Sequence, residues 1–278
     1  MLVLIFMLLS ALSAVAAGIG MGWSLHCLWA MPLAFVGSFV GWVILAILFL
    51  LAVSLPLDAG KLYTKDSRFY RCVTNLYIDM IIKLVGLRIE VKGLEKRPEG
   101  GRFLLVSNHL HEIDPGILMH YFPKSQLAFV AKKEVADMFL VGKFLPKLCS
   151  QYLDRSNDRE ALKSIIRCIQ LLKDDAVSIG IFPEGGINEL KKFKHLKPGV
   201  FKIAQKAKVP IVVCTLQGTQ YVIPNLLKFR RSTVKLHVLE VVETSWMEGK
   251  TTVEIADYVH SIMAEDLGPE NCYPEENT

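Results

Sequence analysis

No aspartate, glutamate, lysine or arginine occurs before Asp58, so the first 57 residues carry no formally charged side chain apart from the titratable His26. That absence excludes an ordinary solvated surface for the amino-terminal stretch and divides the chain into a lipid-compatible head and a water-compatible body. No two of the six cysteines, at 27, 72, 149, 168, 214 and 272, stand in CxxC spacing, which excludes the common zinc-site patterns. Their scatter points to ordinary buried thiols in a reducing compartment. An H-E-x-x-H helix is missing, as are internal repeats and low-complexity tracts.

What the head does contain is two apolar spans, Met1 to about Ile19 and roughly Leu33 to Leu55. Each is about 20 residues, and at ~1.5 Å per residue that covers ~30 Å of hydrocarbon. Between them lie Gly20, Gly22, Trp23, Trp29 and Pro32; glycine and proline suit a reversal, and tryptophan suits the water–lipid boundary. We read residues 1–57 as a helical hairpin in the membrane. Ala14 to Gly18 could serve a signal peptidase, but no basic region precedes the apolar core. A hairpin that crosses and one that dips into a single leaflet have the same composition. Lys61, Lys65, Arg68 and Arg71 follow, against Asp58 and Asp66, and the basic flank predicts a body on the cytoplasmic face. A net charge of +5 fits a body resting on anionic head groups. Membrane lipids, not nucleic acid or metal, are the expected partners.

Residues 58–92 form a connector in which Arg68 to Val85 has the spacing of an amphipathic helix, and Arg88 to Lys92 alternates like a strand. The main domain is expected over 93–268, with a loose tail over 269–278. Strands are predicted at Arg102–Val106, Leu127–Ala131, Val177–Phe182, Val209–Leu216 and Thr233–Val242. Helices are predicted after the Ser156-Asn157 cap, from Pro198-Gly199 to Lys206, and over Thr252–Leu267. In the first of these, Leu162, Ile165, Ile166, Ile169 and Leu172 recur at near-helical spacing. The alternation predicts an α/β domain with a mixed, mostly parallel sheet flanked by helices. Sites in such folds gather at the carboxyl ends of strands.

Two polar clusters follow predicted strands: Ser107-Asn108-His109-Leu110-His111-Glu112-Ile113-Asp114-Pro115 and Phe182-Pro183-Glu184-Gly185-Gly186. A loop or one helical turn can bring the Asp114 carboxylate to one ring nitrogen of His109, leaving the other free to accept a proton. A structural histidine satisfied by its carboxylate has the same spacing. A metallo-hydrolase HxHxDH pattern would need aspartate where Ile113 stands. No serine or cysteine nucleophile is evident beside the histidine, so the acceptor's own hydroxyl is the expected nucleophile.

N-H-x-x-x-x-D followed by F-P-E-G resembles the glycerolipid acyltransferase family typified by 1-acylglycerol-3-phosphate (lysophosphatidate) acyltransferase. Further blocks resemble it in order: Lys132-Lys133-Glu134 with Leu153-Asp154-Arg155, Lys197 to Ala204, and Val209-Pro210-Ile211-Val212. The resemblance covers about Gly93 to Thr219. It implies a glycerol-3-phosphate acyltransferase-like fold and transfer of a fatty acyl group from a thioester to a glycerolipid hydroxyl. By the same resemblance His109 is the general base and Asp114 its orienting carboxylate. Glu184 and Gly185 belong to the acceptor pocket, and Arg155 and Lys133 hold the acceptor phosphate, although a surface pair with Asp154 or Asp158 would also occupy Arg155. No cofactor or metal is implied; acyl-CoA or acyl carrier protein serves as donor. The sequence departs from the family where F-P-E-G-T-R-S would run: here Gly186-Ile187-Asn188 follow Gly185, and Ile187 replaces the phosphate-holding arginine. Lys191, Lys192 or Lys194 could compensate. Another lysophospholipid acceptor, a membrane-bound thioester hydrolase and a non-catalytic membrane module remain as alternative readings.

Overall fold

The computed structural model describes residues 1–273. Helix α1 (Leu2–Gly20) and helix α2 (Cys27–Ser54) form the hairpin. Both are long and apolar enough to cross a membrane, and most of their surface is not covered by protein. The reversal is shorter than the sequence suggested, because α2 begins at Cys27 and takes in Trp29 and Pro32. Pro32 sits in the second turn, where it removes only one intrahelical bond, and the apolar run beyond it sustains the helix.

Helix α3 (Arg68–Leu84) is amphipathic as expected, and its apolar face joins the hairpin to the body. Phe6 of α1 and Trp42 of α2 stack at 6.2 Å within a cluster that includes Tyr77, Met80 and Phe144. Tyr70 and Tyr77 donate to the Val53 and Ala46 carbonyls of α2. Arg71 is buried and holds Asp66 at 3.0 Å while donating to the Leu127 and Leu148 carbonyls. A buried guanidinium kept by a carboxylate and carbonyls fixes α3 against the body.

The body continues through β1 (Arg88–Lys92), β2 (Leu104–Ser107), α4 (Asp114–Tyr121), β3 (Ala128–Lys132), α5 (Val141–Lys147), β4 (Gln151–Leu153), α6 (Asp158–Lys173) and β5 (Ile179–Ile181). Then come α7 (Lys202–Ala207), β6 (Ile211–Gln217), α8 (Val222–Leu227), β7 (Thr233–Val242), α9 (Thr244–Met247) and α10 (Thr252–Leu267). The seven strands lie in the order β1-β7-β6-β2-β5-β3-β4. Strands β6, β2, β5, β3 and β4 are mutually parallel; β7 is antiparallel to β6, and β1 runs with β7. The sheet is therefore mixed and mostly parallel, with helices on both faces.

Alternation along the strands feeds two cores. Leu104 and Val106 face α6, α7 and α10 through Cys168, Phe201, Ile203 and Val259. Leu105 shares the second core with Ile117 and Leu118 of α4, with Phe122 just beyond it, and with Tyr70 and Ile78 of α3. Full burial of each large apolar side chain contributes about 1.5–3 kcal/mol. Asn157 caps α6 by accepting from the amides of Arg159 and Glu160. The packed stripe of α6 is Ile165, Cys168, Ile169 and Leu172, whereas Leu162 and Ile166 are exposed. The tail is not loose from residue 269: Pro269–Asn271 form a short turn, and Phe193 exchanges backbone bonds with Asn271 and Tyr273. Residues 274–278 lie outside the described chain.

Candidate active site

The carboxyl ends of β2, β3, β5 and β6 share one edge of the sheet, because these strands are parallel. Leaving β2, Asn108 is fully buried. Its side-chain amide donates to the Leu216 carbonyl at 2.8 Å and its side-chain oxygen accepts from the Leu216 amide at 2.7 Å. The side chain thus extends the ladder to β6 by one rung and frees the main chain to turn. The turn closes on Asp114, the first residue of α4. One oxygen of this buried carboxylate, Oδ2, accepts from the Leu110 amide at 2.7 Å, the His111 amide at 2.8 Å and His109 Nδ1 at 2.9 Å. The other oxygen, Oδ1, is buried with no hydrogen-bond partner among the described residues. With Nδ1 directed at the carboxylate, Nε2 is the nitrogen left for a substrate proton.

The imidazole plane is set by rings. Phe182 stacks on His109 at 4.1 Å and 14°, and Phe129 stacks on Phe182 at 5.7 Å and 14°. Phe129 fits because its neighbour on β5 is Gly180: a Cβ there would stand 2.4 Å from Phe129 Cε1. Glu184 follows β5 and is buried. Its Oε1 accepts from the His109 main-chain amide at 2.7 Å and its Oε2 from the Lys194 amide at 3.1 Å. Burial pushes the Glu184 carboxyl up to about 8, against the opposing pull of those two amides and the Lys194 charge. Glu184 therefore fixes the backbone of His109, while Asp114 fixes its ring.

Gly185 and Gly186 have φ of 80° and 139°, a backbone that side chains disfavour. A Cβ on Gly185 would stand 2.8 Å from Lys197 Nζ, and one on Gly186 would stand 3.5 Å from Arg155 Nη1 and 3.6 Å from Lys132 Nζ. Arg155 also donates to the Gly185 carbonyl. Three cations thus converge on the glycine pair beside the half-buried Ile187. Of the residues expected from sequence, His109, Asp114, Glu184, Gly185 and Arg155 come together. Lys133 does not: it is exposed and pairs with Asp154 at 2.9 Å. Hydrogen bonds from Ser156, with that from Lys133, hold the Asp154 carboxyl down at about 2. Lys132 and Lys197 were missed. Strand alternation would have separated Lys132 from Lys133 had the end of β3 been known; no sequence signal brought Lys197 to the glycines. Lys194 approaches Glu184, and Lys192 binds Asn188 through its main chain. His111 turns inward on its own loop, its Nδ1 accepting from the Ile113 amide at 3.3 Å. A cavity of about 660 Å³ between α3 and the 123–126 turn contains none of these side chains.

Comparison with known proteins places this site in context. The family model described as Acyltransferase matches residues 88–217, a span that begins at β1 and ends with β6. A 1-acyl-sn-glycerol-3-phosphate acyltransferase of Saccharomyces cerevisiae is 26% identical over 204 residues, covering 72% of this chain and 64% of the relative. One from Cocos nucifera is 26% identical over 196 residues, covering 70% and 62%. The chain thus spans slightly less than two thirds of the length of either relative. A crystal structure of the 1-acyl-sn-glycerophosphate (LPA) acyltransferase PlsC from Thermotoga maritima superposes with a TM-score of 0.60 at 21% identity, covering 82% of this chain and 89% of that one. At that identity the likeness is one of fold.

Proposed function

We propose, on the match of residues 88–217 to the Acyltransferase family model, that the chain transfers a fatty acyl group from an acyl thioester to a hydroxyl of a lysophosphatidate-like glycerolipid. The observation that carries this reading is the His109–Asp114 pair at 2.9 Å, beside a three-cation cluster on the same sheet edge. In the proposed reaction the lipid hydroxyl attacks the thioester carbonyl carbon while His109 Nε2 takes its proton. Asp114 stabilises the imidazolium that forms. The carbonyl oxygen becomes an oxyanion, for which the backbone N–H of Gly186 is the proposed donor, the Gly185 N–H being bonded to the Phe182 carbonyl at 3.2 Å. The oxyanion then collapses, the C–S bond breaks, and the thiolate recovers the proton from the imidazolium. No acyl-enzyme forms in this scheme.

Lys132, Arg155 and Lys197 are the proposed grip on the acceptor phosphate, in place of the arginine that Ile187 lacks. Arg155 can hold a phosphate with two hydrogen bonds, and the lysines add point charges. Lys133, engaged with Asp154, is not part of it. The uncharged head and the basic flank at Lys61, Lys65, Arg68 and Arg71 support an integral membrane protein with its body on the cytoplasmic face. Acyl-CoA or acyl carrier protein is the donor.

The test is a panel of acceptors offered to the purified protein with each donor in turn, with lipid products read by mass. A phosphate monoester acceptor is expected to be acylated fastest. Ile187 favours a second reading, a lysophospholipid with a larger head group, and a product only from such acceptors would select it. Thioester cleavage undiminished by omitting every acceptor would replace transfer with hydrolysis.

A further inference from the structure

The segment joining β6 to β7 leaves the sheet on the same edge as His109, since Asn108 is bonded to Leu216 and Gly218 opens the turn. The tip of this segment turns large apolar side chains outward. Phe229 is 99% exposed and Leu227 is 76% exposed, with Tyr221, Ile223 and Leu226 also open. The tip is built, not frayed. Arg230 donates its amide to the Asn225 carbonyl at 2.8 Å, Phe229 to the Leu226 carbonyl at 3.0 Å, and the Asn225 side chain reaches Ser232 Oγ at 3.1 Å. Phe229 itself has φ of 53°, the left-handed region that a bulky residue rarely adopts. An ordered turn that places an aromatic ring in water has neither local packing nor backbone preference to account for it.

Lys228, Arg230 and Arg231 flank the apolar tip, and no aspartate or glutamate occurs between Glu189 and Glu240. Apolar side chains at the centre with cations around them match a phospholipid surface: acyl chains below and anionic head groups at the rim. A soluble protein partner would more commonly meet charges of both signs. We propose that the 221–231 turn is a second membrane contact, separate from the hairpin, that seats the catalytic edge on an anionic bilayer. The hairpin holds the chain in the membrane; this turn sets the tilt of the body, so that His109 opens toward the lipid plane.

The experiment uses the full chain reconstituted into vesicles of equal parts phosphatidylcholine and phosphatidylglycerol. Phe229 is replaced by p-benzoylphenylalanine, irradiated, and its adducts are identified by mass. Glu99, exposed and on the opposite edge of the sheet, is the control position. Lipid adducts at 229 are expected to exceed those at 99 by about tenfold, and the Arg230→Glu, Arg231→Glu pair is expected to reduce them by about tenfold. Lipid adducts at 229 no more abundant than at 99 would overturn the proposal. So would adducts to a second copy of the chain, which would make the face a site of self-association. The readout does not require turnover, so it stands or falls independently of the acyl-transfer reading.

Discussion

Replacing Asp114 with asparagine separates the charge of the carboxylate from its geometry. The native Oδ2 accepts from two loop amides and from His109 Nδ1, all between 2.7 and 2.9 Å. An asparagine oxygen in the same position keeps those three donors. Its amide nitrogen takes the place of Oδ1, a buried atom with no partner among the described residues, so the exchange breaks no hydrogen bond. What disappears is the charge proposed to stabilise the imidazolium. A hydrogen bond to a charged group contributes about 1.5–3 kcal/mol, against about 0.5–1.5 kcal/mol for a neutral one. The difference, about 1–2 kcal/mol, corresponds to roughly 5- to 30-fold in kcat. A deeper loss, on the order of 10⁴-fold, would mean that the asparagine amide donates to Nδ1 and fixes the wrong tautomer, as the same exchange does in a serine protease. Initial rates with one acyl thioester and one monoacyl acceptor give kcat and KM, and far-ultraviolet circular dichroism checks the fold. The expectation is a fall in kcat with KM nearly unchanged. Retention of more than half of the native kcat in a folded Asp114→Asn protein would refute the role given to the carboxylate.

Three further outcomes follow from the same geometry. His109→Ala is expected to fold and to fractionate with membranes yet lose about 10²–10⁴-fold in turnover; native rates in a membrane assay would remove His109 from the reaction. Lys132→Ala and Lys197→Ala are each expected to raise KM for a phosphate monoester acceptor by about tenfold while leaving a zwitterionic acceptor little changed; equal effects on both would point to a structural role for the lysines. Glu184 holds its proton up to about 8 when folded and releases it near 4.5 when unfolded. Between those values the folded state binds more protons, so stability falls as pH rises, by at most about 1.4 kcal/mol per pH unit. Thermal melts across that range should therefore decline in the native protein and flatten in Glu184→Gln, and parallel curves would contradict the assignment.

Much of this molecule was legible in its residues. The uncharged head, the amphipathic spacing of α3 and the β-branched runs of β6 and β7 express periodicities that depend on burial alone, and burial is what composition records. The His109–Asp114 pair was legible because one short turn suffices to close it. Elements whose form depends on distant partners were harder to read. Strand β4 has three residues and exists through its pairing with β3. Helix α5 contains Pro146 and packs by way of Phe144 against Tyr70 of α3. The cation cluster gathers from three separate segments, so neighbouring residues in sequence carry no trace of it; Lys132 and Lys133 are adjacent and serve different ends. The stripe of α6 was read with Leu162 and Ile166 facing inward, because spacing fixes the period of a helix more firmly than the extent of its buried arc.

The stack from Gly180 through Phe129 and Phe182 to His109 means that the aim of the imidazole is determined partly at a position with no side chain. A methyl group at 180 would displace a benzyl ring, that ring would press on its neighbour, and the tilt would arrive at the nitrogen proposed to meet the alcohol. Damage of this kind would leave every polar partner of His109 intact. In the proposed reaction, residues behind the imidazole would thus govern the angle of proton capture, and a survey confined to hydrogen bonds would overlook them.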